Sequence, residues 1–109
     1  MTDSALTLGD ADFEAALAGS RGVALVEVWA PWCGPCKMVG AALQRLHAAQ
    51  PQRFALLLVN QAEAPLTVQR LNVRATPTLL LYRDGVELAR RSGALLESQI
   101  AAWLTRELG

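Results

Sequence analysis

The sequence predicts an α/β fold in which a central mixed β-sheet is flanked by helices on both faces;. Three observations carry this. Two short apolar runs, Val23 to Trp29 and Phe54 to Val59, bracket a segment with helical spacing, and a strand–helix–strand crossover makes the two strands parallel;. Thr78 to Tyr82 and Val86 to Ala89 flank Arg83-Asp84-Gly85, a turn signature that makes them an antiparallel hairpin;. Two further segments, one at each end of the chain, carry apolar residues four apart, as a helix packed on a sheet requires;.

The elements follow in order. Asp10-Ala11-Asp12-Phe13-Glu14 offers a cap at Asp10 and acidic residues in a first helical turn, with Phe13 and Leu17 on one face and an end near Gly19;. Val23 to Trp29 is apolar except for Glu27, the pattern of a central strand covered on both faces;. From about Gly34 to Ala49, Met38, Val39, Ala42, Leu43 and Leu46 recur at helical spacing, and Pro51 lies just beyond;. Phe54 to Val59 is the second buried strand, and Pro65 to Leu71 is a short helix entered through proline;. After the hairpin, Ile100, Trp103, Leu104 and Leu108 mark a last helix from Ser98 to Leu108;. The predicted order is helix, strand, helix, strand, helix, hairpin, helix. Within it Trp29 and Trp103 are expected to be packing residues and His47 a solvated helix residue.

Composition narrows the function. Residues 1–109 are read as a single domain, a length that can bury roughly two-thirds of its unfolded surface;. Apolar residues are 52% and charged residues 18%, so the chain is expected to fold throughout;. Ten basic and ten acidic residues cancel, which leaves no electrostatic footprint for nucleic acid or an anionic membrane surface;. The longest apolar run, Phe54 to Val59, is far short of the roughly 20 residues of a membrane span;. Met1-Thr2-Asp3-Ser4 is acidic, and no apolar stretch with a cleavage site follows it, so no signal peptide is read and a cytoplasmic address is expected;.

Two cysteines separated by two residues cannot form the disulfide framework of a small secreted domain;. Cys33 at the start of a helix and Cys36 three residues on share one side of the first turn, close enough for their sulfurs to bond. Unpaired backbone N–H groups and the positive end of the helix dipole favour a thiolate at Cys33, and Lys37 adds a cation. These pull its pKa down from about 8.5 toward neutrality, where thiolate population and nucleophilicity balance best. Cys36, deeper beneath the turn, keeps the higher pKa of a resolving thiol. Gly34-Pro35 between them stiffens the turn, since proline fixes φ where its missing N–H costs nothing. A structural zinc site needs four ligands, and beyond this pair the chain offers only His47 as a soft donor;.

The stretch Val26-Glu27-Val28-Trp29-Ala30-Pro31-Trp32-Cys33-Gly34-Pro35-Cys36-Lys37 resembles the active-site segment of the thioredoxin family with two substitutions. Val73-Arg74-Ala75-Thr76-Pro77-Thr78, Asp84-Gly85 and Gly93-Ala94 resemble that family's later landmarks at the expected separations, so the resemblance covers residues 10 to 107. It implies a thioredoxin fold and a thiol–disulfide oxidoreductase that reduces protein disulfides. Thr76-Pro77 is then expected to be a cis peptide lying against Cys33. Independently, Pro77 cannot donate to a ladder and belongs just before the strand that starts at Thr78. Trp32, Gly34, Pro35, Thr76, Pro77, Gly93 and Ala94 are the expected substrate rim.

Glu27 departs from the resemblance, because the family usually has an aspartate there, beneath the second cysteine and acting through water as its proton acceptor. A carboxyl in an apolar strand is costly to ionise, so its pKa is expected above about 6; the alternative is an exposed strand glutamate. Leu58 stands where many relatives carry a buried lysine beside that acid. Gly40-Ala41 stands where relatives commonly place a kinking proline, which implies a straighter helix softened only by Gly40.

In the implied cycle Cys33 attacks a substrate disulfide, and Cys36, deprotonated with help from Glu27, resolves the mixed disulfide. No bound cofactor and no metal are needed. The implied partners are disulfide-containing proteins and a flavoprotein reductase of the thioredoxin-reductase type; nucleic acid and membrane are not, and the chain is expected to be a monomer. The rivals are an oxidase or isomerase running the same chemistry in the other direction, and a binding or chaperone module without turnover.

Overall fold

A computed structural model describes residues 5–109. The acidic Met1-Thr2-Asp3-Ser4 stretch lies outside these described residues. The elements are β1 (Ala5–Leu8), α1 (Phe13–Gly19), β2 (Val23–Trp29), α2 (Gly34–Ala49), β3 (Ala55–Asn60), α3 (Pro65–Arg70), β4 (Thr78–Arg83), β5 (Val86–Ser92) and α4 (Glu97–Leu108). They form one five-stranded sheet in the order β1-β3-β2-β4-β5.

The central strand is β2, parallel to β3 on one side and antiparallel to β4 on the other. Because side chains alternate across a strand, β2 sends Ala24, Val26 and Val28 to one face and Leu25 and Glu27 to the other. The first face packs Val26, Val28, Leu57, Val59, Leu80 and Tyr82 against Phe13, Leu17 and Val68 of α1 and α3. The second packs Leu25, Leu56, Leu79 and Leu81 against Val39 and Leu43 of α2 and against Ile100, Trp103 and Leu104 of α4. Trp103 is 2% exposed, the core residue its helical spacing predicts. The hairpin closes at Arg83↔Val86, leaving Asp84 and Gly85 as the two loop residues, both at positive φ (50° and 82°), which is the turn that matches strand twist;. Pairing then shifts register between Leu81 and Tyr82, a bulge that exposes Leu88;.

Four expectations are corrected. The first element among the described residues is a strand: β1 pairs in parallel with β3, from Ala5↔Leu56 to Leu8↔Val59. Asp12 rather than Asp10 precedes α1, while the Asp10 carboxylate accepts hydrogen bonds from the backbone N–H of Leu66 (3.2 Å) and Thr67 (2.7 Å) at the start of α3;. Met38 points to solvent with 46% of its surface exposed, because it lies one residue off the Val39–Leu43 stripe;. His47 is 6% exposed rather than solvated: it continues that stripe at the next turn and packs its ring 5.4 Å from that of Phe54.

Candidate active site

Three segments meet at one end of the sheet, and the register explains why. β2 runs out at Trp29 into Ala30–Cys33, so this loop leaves from the carboxyl end of a parallel strand, where open α/β sheets place their sites;. β4 runs antiparallel to β2 with Val28 opposite Thr78, which puts Thr76-Pro77 at the same end. β5 ends with Ser92 opposite Thr78, which brings Gly93 there as well.

Local hydrogen bonds fix each segment. Cys33 N–H donates to the Ala30 carbonyl at 3.0 Å, and Cys36 N–H to the Cys33 carbonyl at 3.3 Å, so the loop turns directly into α2. Cys33 is the N-cap of α2 in extended conformation, with proline in the first turn;. The Thr76–Pro77 peptide is cis. Thr78 Oγ1 donates to the Ala75 carbonyl at 2.6 Å and lies 3.0 Å from Ser92 Oγ; having one proton, it accepts the Ser92 hydroxyl;. Gly93 N–H donates to the Pro77 carbonyl at 3.0 Å, at a φ of 103° that favours glycine;. The proline loop and the Gly93 corner are thus held together.

Cys33 and Cys36 are bonded to each other across Cα atoms 5.4 Å apart. Both are buried, at 9% and 4% exposure, packed with Ala30 and Trp29. Around them the surface opens: Trp32 is 68% exposed, and Gly34, Pro35, Gly93 and Ala94 are exposed, while Thr76 is half-buried and Pro77 buried.

Glu27 is 3% exposed, so the alternative of a solvated strand glutamate is excluded. Its Oε2 and the Trp29 Nε1 are buried without hydrogen-bond partners in the protein. The two residues are two apart on one face of β2, and both line a cavity of about 180 Å3 walled also by Cys36, Lys37, Gly40 and Leu58. Burial pushes the Glu27 carboxyl up from 4.5 to about 7;. It can therefore take or give a proton near neutral pH beside the second cysteine. Leu58 is the register partner of Glu27 on β3 and offers only hydrocarbon. Gly40 is the residue that sequence reasoning undervalued. A β-carbon there would meet the Glu27 carboxyl first, 3.2 Å from Oε1. The signal lay in two positions at once: a longer acid on β2 and a missing side chain on the helix above it.

Comparison with known proteins agrees with this geometry. The thioredoxin family model matches residues 4–106. Among curated relatives, the chain is 35% identical to a thioredoxin of Haemophilus influenzae, over 94% of this chain and 96% of that one. It is 36% identical to the thioredoxins of Acidithiobacillus ferridurans (99% and 100% covered) and Pseudomonas aeruginosa (95% and 96%). With a redox pair at the head of α2 in a five-stranded mixed sheet and these matches along nearly its whole length, the chain belongs to the thioredoxin family and is a thiol–disulfide oxidoreductase, a protein-disulfide reductase.

Proposed function

We propose that the chain carries electrons from a flavoprotein reductase of the thioredoxin-reductase type to disulfides in protein substrates. Cys33 acts as nucleophile, Cys36 as resolving thiol and Glu27 as the proton acceptor of the resolving step. One observation carries this: Cys33 caps α2 and is bonded to Cys36, and Cys36 shares a cavity wall with the Glu27 carboxyl.

In the reduced protein, Cys33 thiolate attacks one sulfur of a substrate disulfide. A Cys33–substrate disulfide forms and the other substrate sulfur leaves as a thiolate. Glu27 carboxylate then takes the Cys36 proton, Cys36 attacks Cys33 Sγ, and the second substrate sulfur leaves. The substrate has gained two electrons, and the Cys33–Cys36 disulfide holds the oxidised state until the reductase returns two. An extended substrate segment lies along Trp32, Gly34, Pro35, Thr76, Pro77, Gly93 and Ala94, where one exposed aromatic face and glycines with no side chain to obstruct suit varied peptides;. A pair that must be returned to the dithiol belongs in a reducing compartment, and we assign the chain to the cytoplasm on that ground. Among the described residues no helix is long and apolar enough to cross a membrane.

The test is reduction of insulin disulfides beside a Cys33→Ser control, with mixed-disulfide formation and release timed separately in Glu27→Gln. Activity lost in the control, and release slowed by on the order of 100-fold with formation little changed, is the expected pattern. Equal slowing of both steps contradicts the role of Glu27, and a strongly oxidising potential contradicts the direction of transfer.

A further inference from the structure

We infer that Gly40 is a positioning residue for the resolving step: its missing side chain leaves the space in which the Glu27 carboxyl faces the turn of α2 that carries Cys36. The inference rests on the role proposed above for Glu27, and deepens it.

The geometry is specific to this pair. The three heavy atoms nearest to a β-carbon built at Gly40 all belong to one carboxyl: Glu27 Oε1 at 3.2 Å, Oε2 at 3.7 Å and Cδ at 3.9 Å. A side chain at this place would therefore press on the acid before touching anything else. Gly40 lies four residues after Cys36, on the same face of α2, and a helical Cα–Cβ bond tilts toward the N-terminus;. A methyl at Gly40 would project from α2 toward the Cys36 turn and into the shared cavity. The acid is buried and its Oε2 has no protein partner to hold it against such a push.

Helix propensity offers no competing reason for the glycine. Gly40 sits inside a 16-residue helix with ordinary helical backbone, where alanine is the better residue;. A position that gains nothing for the helix, and whose nearest neighbours across the helix surface are the atoms of a buried carboxyl, is explained by the carboxyl. Sharing the cavity wall with that carboxyl are Trp29, Ala30, Pro31, Cys36, the exposed Lys37 and Leu58, and its register partners on the two neighbouring strands are Leu58 and Leu79. Lys37 is the one charged side chain among them.

The test is a double-mutant cycle of Gly40→Ala and Glu27→Asp, read in single-turnover reactions with a protein disulfide between pH 5 and 9. Gly40→Ala should melt within about 4 °C of the parent, because the helix preference of alanine offsets the push on the carboxyl;. It should slow release of the mixed disulfide by roughly 10-fold and leave its formation within about 2-fold. The pH midpoint of release should move upward, because the methyl shields the carboxyl from water. Glu27→Asp, one methylene shorter, should slow release in the parent and partly restore it in Gly40→Ala, where the shorter acid clears the methyl. Release unchanged in Gly40→Ala, or effects that simply multiply in the double variant, overturns the inference. Glu27→Gln in the same assay separates the two levels. If it slows release and Gly40→Ala does not, Gly40 alone loses its role; if it leaves release unchanged, the role of Glu27 falls and that of Gly40 with it.

Discussion

Glu27 and Leu58 are register partners across the β2–β3 ladder, so the nearest residue to the buried acid on the neighbouring strand offers no charge and no hydrogen bond. Nothing there opposes desolvation, and the carboxyl rises to about 7;.

A cation at that place should reverse the effect. Leu58→Lys puts an ammonium beside the carboxyl, and an opposite charge within reach lowers a carboxyl pKa by about 1–3 units. Infrared titration of the carboxyl band in the oxidised protein should show the midpoint falling from near 7 toward the ordinary range. The pH midpoint of mixed-disulfide release should fall with it. A midpoint that does not move contradicts the claim that desolvation alone sets it.

The same shift makes stability depend on pH. Between 4.5 and about 7 the folded protein keeps a proton on Glu27 that the unfolded chain releases, so raising pH through this window favours unfolding;. Stability is fullest below the window and lowest above it. At 1.4 kcal/mol per unit, the loss from this one group is about 3 kcal/mol at most. Denaturant titrations of the oxidised protein at pH 4 and pH 8 should show Glu27→Gln gaining on the parent by up to that amount at the higher pH. Parallel curves for the two proteins would contradict the burial of a titrating acid.

Much of the fold is legible in the sequence because the strands that matter most are the most apolar. Val23–Trp29 and Phe54–Val59 are buried on both faces, which allows little but hydrocarbon and makes them plain to read;. β1 is not legible in this way. It has four residues, of which only Leu8 is buried, and it is a strand because the edge of β3 is there to pair with;. His47 shows a different limit: the stripe Val39, Leu43, His47 is visible, but residue type argued for solvent where position argued for core;. At the candidate site, Cys33 and Cys36 stand out by type and spacing, and Glu27 by being the one charged residue in an apolar strand;. The Asp10 contact with α3 and the approach of Gly40 to Glu27 span distant parts of the chain, and no local pattern encodes them.

Trp32 offers a separation of binding from stability. At 68% exposure its ring contributes little to the core, so Trp32→Ala should change unfolding free energy by no more than about 0.5 kcal/mol;. In the proposed substrate surface Trp32 stands next to the nucleophile, where an aromatic face buried by a docked peptide acts as an anchor, and its loss should raise KM for a protein disulfide by roughly 10-fold;. Steady-state insulin reduction and a thermal melt on the same variant decide it. A lower melting temperature with an unchanged KM would place Trp32 in the scaffold instead.

The most direct measurement is the pH dependence of alkylation at each sulfur in the reduced protein, resolved by peptide mass spectrometry. Cys33 at the N-terminus of α2 should react with a midpoint well below the roughly 8.5 of a free cysteine, while Cys36, beneath the turn, lags until higher pH;. Two sulfurs titrating together near that free value would mean that the helix terminus does not activate Cys33.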